Sequence, residues 1–176
     1  MPLPCNFALK DGRTALIRRA RPGDAAALLA HVNEVAAEGV FLQTERVEKS
    51  VAEEEEWISG FDGVSKLLIV AVVDNTLVGG ADIRRGPQVK NAHVAELGIA
   101  LGKSVRGQGL GRAMMEAMLD WGRSAGIRKL FLGVFSTNER AIALYGALGF
   151  EVEGRLKGQV ILDGLPADLL LMSRWI

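Results

Sequence analysis

The 176-residue sequence is poor in the residues that carry most metal and redox chemistry, with one Cys, two His and one Tyr. A single Cys excludes an internal disulfide, and one Cys with two His excludes a thiolate and imidazole metal site built within one chain. Charge of one sign is lacking as well: 21 Lys and Arg balance 21 Asp and Glu, for a formal net charge of zero. That balance argues against a nucleic-acid surface or a polybasic membrane patch. No apolar run reaches the ~18 residues of a membrane-spanning helix and no signal-peptide pattern is present, so a cytoplasmic protein without membrane or nucleic-acid partners is expected.

What remains is an ordinary globular composition with a glycine excess. Hydrophobic residues make up 49% and Gly numbers 21, above the ~7% share usual for Gly. The length suits one domain. Residues 1–13 show little pattern and read as an N-terminal lead-in, with a single domain expected over 14–176. Thr14–Arg19 is a short strand pattern. Pro22-Gly23-Asp24 then opens a helix that Gly39 stops, with Asp24 expected as its N-cap. Ser50 and Glu53 have capping-box spacing for a second helix ending near Ser59. Leu67–Val73 and Thr76–Arg84 are strand-like runs around Asp74-Asn75, a hairpin signal. A polar loop, Arg85–Ala92, leads to a strand over His93–Leu101. The glycine-rich stretch Gly102–Gly111 then opens a helix reaching about Gly126. A strand at Lys129–Phe135, a helix at Asn138–Leu148, and strands at Phe150–Leu156 and Asp168–Trp175 complete the chain. The order β-α-α-β-β-β-α-β-α-β-β is neither a regular βαβ repeat nor all-β. It predicts a mixed α/β fold, a mixed sheet covered by helices.

The densest signal is Val105-Arg106-Gly107-Gln108-Gly109-Leu110-Gly111-Arg112, lying between a strand and a helix. Closely spaced glycines let successive N–H groups converge on one anion, and the helix start adds unpaired donors. Phosphate or pyrophosphate is the natural ligand, with Arg106 as added positive charge. A Walker loop would need Lys-Ser/Thr after its last glycine, where Arg112-Ala113 stands. A dinucleotide G-x-G-x-x-G would need glycine at Arg112. A turn without ligand is the bland alternative.

A second constellation runs from Asn138 to Phe150. Asn138 suits an N-cap, and Ala141 and Tyr145 share a helix face. Such a Tyr is either half-buried packing or functional. Taken together, these residues resemble the Gcn5-related N-acetyltransferase (GNAT) superfamily. Its R/Q-x-x-G-x-G/A motif is matched at Arg106, Gly109 and Gly111. Its N-x-x-A-x-x-x-Y-x-x-x-G-F motif is matched at Asn138, Ala141, Tyr145, Gly149 and Phe150. The resemblance spans about residues 14–176 and implies a central, mostly antiparallel, twisted and splayed sheet flanked by helices.

It also implies acetyl-CoA as acetyl donor, no metal, and an N-acetyltransferase moving acetyl to a primary amine by direct attack in a ternary complex. The strand residues Ile99, Ala100 and Leu101 would hold the pantetheine arm. The amides of Arg106, Gly107, Gln108, Gly109, Leu110, Gly111 and Arg112 would hold the pyrophosphate. Asn138, and the small Ala141 beside it, would border the coenzyme arm, and Tyr145 would protonate the departing thiolate. Glu96, on one strand face with Gly98 and Ala100, is the best candidate base, with a structural ion pair or an amine anchor as alternatives. His93, His31 and Asp168 are weaker candidates. Cys5, the only thiol, is not expected to act covalently. The acceptor would be a small-molecule amine, an amino acid or a protein N-terminus, met by the segments around Val32–Trp57 and Leu156–Asp168. Homodimerisation is carried over from relatives. A non-catalytic acyl-CoA-binding or interaction module is the competing class.

Overall fold

Local signals place most elements, and long-range pairing supplies the rest. In the computed structural model, which describes residues 3–176, Ser50 accepts from the Glu53 amide while the Glu53 carboxylate accepts from the Ser50 amide. That capping box starts a helix, α2, at Val51–Ser59. Asp74 and Asn75, both with positive φ, turn strand β3 (Lys66–Val73) into β4 (Thr76–Arg85), the backbone a two-residue hairpin requires. The first helix, α1, covers Ala25–Ala36. Asp24 precedes it but does not cap it with its side chain; the carboxylate instead accepts from the Arg21 amide and from both terminal nitrogens of Arg18.

Two features depart from the sequence reading. Within residues 1–13, Cys5–Ala8 forms a strand, β1, pairing antiparallel with β2 (Thr14–Arg19). The last hairpin is also longer than expected: β7 runs over Glu151–Leu162 and β8 over Leu165–Trp175. Its turn is Asp163-Gly164, both at positive φ, and a register break between Leu156 and Val160 absorbs the Gly158 segment. Residues 157–162 and 165–167 therefore extend the two expected strands toward the turn.

Strand β5 (Val94–Leu101), helix α3 (Leu110–Ser124) and strand β6 (Lys129–Phe135) form a parallel crossover, and helix α4 (Glu139–Ala147) follows. The eight-stranded sheet has the order β1-β2-β3-β4-β5-β6-β8-β7 and is antiparallel except at β5–β6. Ile69, Ala71 and Ile83 pack with Met114, Met115 and Met118 of α3 on one face. Leu68 and Val70 pack with Leu28 and Ile58 of α1 and α2 on the other. The mixed, helix-covered sheet expected from the sequence is thus present.

Candidate active site

The pairing of β5 with β6 is short. It joins Val94, Ala95 and Glu96 to Lys129, Leu130 and Phe131 and then stops. Gly86 donates to the Val94 carbonyl and Gly102 to the Val78 carbonyl, so even-numbered β5 residues turn their peptide groups toward β4. Ile99 and Leu101 therefore turn theirs toward β6, where no ladder partner remains among the described residues. The expected splay is present, and it leaves the Ile99 amide and carbonyl and the Leu101 amide open to an amide-bearing chain, the Leu101 carbonyl being taken by Arg106 Nε.

The glycine loop lies directly beyond that open edge. Gly107 and Gly109 have φ of 79° and 90°, a left-handed region that side chains rarely adopt. Gly111 is required for a different reason. A Cβ there would stand 3.1 Å from Leu101 and 3.3 Å from Leu144, so α3 can approach β5 and α4 only without one. The loop ends on Gly109, so the unpaired N–H groups at the start of α3 face the same end of the molecule. Gln108 carries a buried amide oxygen with no hydrogen-bond partner. A glycine cradle at a helix start, with unpaired N–H groups converging on it, fits the pyrophosphate of a coenzyme.

Arg106 departs from expectation in its side chain. Both terminal nitrogens bind the Glu38 carboxylate, at 2.6 and 2.8 Å, and its Nε donates to the Leu101 carbonyl at 2.8 Å. Its guanidinium also lies 4.5 Å from the centre of the Phe41 ring. The charge expected over the loop is thus neutralised by the segment after α1, and the Arg106 amide donates to the Lys103 carbonyl. Arg140 takes that place: its Nη2 would be 2.6 Å from a Cβ at Gly107. Sequence reasoning missed Arg140 and Glu38, the second because it lies 68 positions from its partner.

On α4, the Asn138 side-chain oxygen accepts from the Ala141 amide at 3.2 Å, the N-cap expected. Its carbonyl is thereby engaged, while its NH2 stays available. Tyr145 follows on the same helix face and is 7% exposed. Burial pushes its phenol up to about 12. The hydroxyl makes no hydrogen bond to any described residue, so its proton is free for a bound ligand.

Glu96 is exposed on β5, opposite Arg84 of β4, and takes part in no ion pair among the described residues. Asp82, which the sequence did not single out, lies on the same sheet face two residues along β4, opposite Gly98. Burial raises its carboxyl above the ordinary range, Glu96 adds to that rise, and Arg84 opposes it. His31 of α1 is buried, and its Nε2 lies 3.2 Å from the Ala100 carbonyl. A carbonyl only accepts, so Nε2 carries the proton, and burial holds the ring's affinity for a second proton below its ordinary value. The helix is thereby pinned beside the open edge of β5.

The remaining candidates stand apart from this cluster. His93 stacks on Trp175 at 6.2 Å between ring centres. Asp168 accepts from the Gly158 amide and pairs with Arg155, bracing the last hairpin. Cys5 sits in edge strand β1, where burial raises its thiol and disfavours the nucleophilic thiolate.

The model of the acetyltransferase (GNAT) family matches residues 25–150. An L-amino acid N-acetyltransferase of Escherichia coli (strain K12) is 31% identical over 110 residues, covering 60% of this chain and 66% of that protein. The chain spans less than two thirds of the length of the curated relatives it matches first. Among solved structures, an acetyltransferase of the GNAT family from Streptococcus pneumoniae superposes with a TM-score of 0.87 at 29% identity, over 92% of this chain and 99% of the other. A GNAT superfamily phosphinothricin acetyltransferase from Sinorhizobium meliloti, in complex with AcCoA, superposes at 0.83 with 25% identity, over 92% and 88%.

Proposed function

The chain belongs to the acetyltransferase (GNAT) family, and from that premise we propose that it is an acetyl-CoA-dependent N-acetyltransferase acting on a primary amine by direct attack, with no metal. One observation carries the reading. The ladder between β5 and β6 stops at Glu96–Phe131, leaving an open edge that leads straight into a glycine cradle at a helix start.

In this reading the open edge at Ile99–Leu101 holds the donor arm through the Ile99 backbone and the Leu101 amide, while the Ala100 peptide stays bound to β4. The amides of Gly107, Gly109, Leu110, Gly111 and Arg112 hold the pyrophosphate, those of Arg106 and Gln108 being used inside the loop, with Arg140 as the nearby cation. Asn138 offers its NH2, and the small Ala141 leaves room beside Tyr145. The free amide of Ile99 is a donor for the oxygen on which charge develops when the thioester carbonyl is attacked. Glu96 takes a proton from the incoming ammonium, and Tyr145 gives one to the thiolate as the C–S bond breaks. A thiolate whose conjugate acid resembles a Cys thiol at about 8.5 accepts a hydrogen bond from the neutral phenol, and proton transfer, uphill from a phenol at about 12, is completed as the new amide nitrogen gives its proton back to the phenol.

The acceptor is a small amine, an amino acid or a protein N-terminus, taken up on the α1–α2 side. The domain assigned to this chemistry is residues 14–176, and a cytoplasmic homodimer completes the proposal. The test is thiol release from acetyl-CoA with and without a panel of amino acids, polyamines and peptides. Amine-dependent release is expected. Tight acetyl-CoA binding with no release for any amine would instead identify an acyl-CoA-binding module.

A further inference from the structure

We infer that Asp82 is a second catalytic carboxylate of the acyl-transfer site, its Oδ1 lying over Gly98 and sharing with Glu96 the proton taken from the incoming ammonium. The inference rests on the acyl-transfer reading above.

The geometry begins with register. Asp82 of β4 is directly opposite Gly98 of β5, and Glu96 is directly opposite Arg84. Asp82 and Glu96 are therefore diagonal neighbours on the face covered by α1, at the roughly 7–8 Å typical of such pairs and less at the side-chain ends. Gly98 is what admits Asp82 to this position, since a Cβ there would lie 3.0 Å from Asp82 Oδ1. Its neighbour Ile99 is the first β5 residue whose whole peptide face toward β6 is open. Asp82 thus faces, across the β4–β5 ladder, the residue next to Ile99, with the open edge on the other side of β5.

Its two oxygens differ. Oδ2 is sealed from solvent and has no hydrogen bond; Arg84 Nε lies 2.7 Å away but off the line a hydrogen bond needs. Oδ1 has no donor at all among the described residues. A buried carboxylate normally has its oxygens satisfied. A group left this way has room for the N–H of a bound ammonium. The charged and titratable groups around it are few. Arg84 is on its own strand and Glu96 on β5, β3 offers only the apolar Leu68 opposite, and His31 of α1 is already held by the Ala100 carbonyl. Burial and the Glu96 charge both favour the protonated form of Asp82, which suits a group that must receive a proton.

The proton balance is closed. The ammonium loses one proton to the Asp82–Glu96 pair, from which it passes to water. The neutral amine forms the C–N bond at the thioester carbonyl, and the C–S bond breaks. The thiolate takes the proton of Tyr145, and the second proton lost by the new amide nitrogen restores the phenol.

The experiment compares wild type, Asp82→Asn and Gly98→Ala by acetyl-CoA affinity and by pH-dependent kcat/KM with one accepted amine. The second variant keeps the charge and displaces it, guarding against a folding defect in the first. Both should bind acetyl-CoA as wild type does and lose about ten- to a hundredfold in kcat. The acid limb of Asp82→Asn should move to lower pH, because the carboxyl that burial and the Glu96 charge hold above its ordinary value no longer has to ionise. A merely structural Asp82 would not move that limb. Unchanged kcat in Asp82→Asn with wild-type turnover intact overturns this inference alone. Absence of turnover in wild type with every amine removes the reading beneath it as well.

Discussion

At the residue scale, Tyr145 gives the clearest signature because it is the only phenol in the chain. Buried with its hydroxyl unbonded, it ionises at about 12. Alkaline titration followed by tyrosinate absorbance should therefore show no transition near 10, the ordinary value. A midpoint at the ordinary value would mean the ring is solvated. The sign for stability follows: an unfolded phenol ionises before the folded one, so this group leaves stability unaffected below about pH 10 and reduces it as pH rises toward 12. Tyr145→Phe keeps the packing against Phe150 and removes the proton. The single-turnover rate should fall with acetyl-CoA affinity intact, and an unchanged rate would end the general-acid assignment. Tyr145 and the glycines were legible because each acts near its own place in the chain. Asp82 was not, since nothing around Ala81-Asp82-Ile83 reveals that Gly98 will face it.

At the element scale, the decisive contacts join segments far apart in sequence. Arg106 binds Glu38, Leu101 and Phe41 at once, so the loop after α1 is fastened to the glycine loop. Asn33 fastens its far end, bonding both backbone groups of Val47. If that loop meets the acceptor, Glu38→Gln should raise the KM for the amine several-fold and leave acetyl-CoA affinity nearly unchanged; equal weakening of both would place Glu38 in the donor site instead. Gly111→Ala tests the approach of α3, where a methyl would press on Leu101 and Leu144. A loss of about 1–3 kcal/mol in denaturant unfolding is expected, and full stability would show that the neighbours move aside freely. Asp24→Asn weakens the charge-assisted bonds to Arg18, with a cost of about 1.5–3 kcal/mol at neutral pH. The folded carboxyl of Asp24 is held below its ordinary value by Arg18, so this stability is full above the unfolded pKa and lost as pH falls through the folded one. The variant's deficit should shrink in acid, and a deficit independent of pH would assign it to packing.

At the scale of the whole molecule, capping and turn signals made α2 and the β3–β4 hairpin readable, because Ser50-Glu53 and Asp74-Asn75 are local devices. Strand β1 and the outer half of the last hairpin were not, because each is held by pairing to another strand rather than by its own pattern. The same division runs through the site. The glycine cradle and the N-cap at Asn138 were legible, whereas the destination of the Arg106 side chain was decided by a loop 68 residues away. What the assembled molecule adds is an open strand edge leading to a glycine cradle, to which the proposal joins the phenol of α4 and two carboxylates of β4 and β5. Direct acyl transfer is the chemistry that uses all of them. Its most direct test is a single turnover: protein preloaded with acetyl-CoA is mixed with an accepted amine, quenched at intervals, and read by mass for acetylated amine, acetylated protein and free CoA. The account expects acetylated amine to appear in step with CoA and no acetylated protein at any time. Acetylated protein preceding the product, or CoA released without acetylated amine, would contradict it.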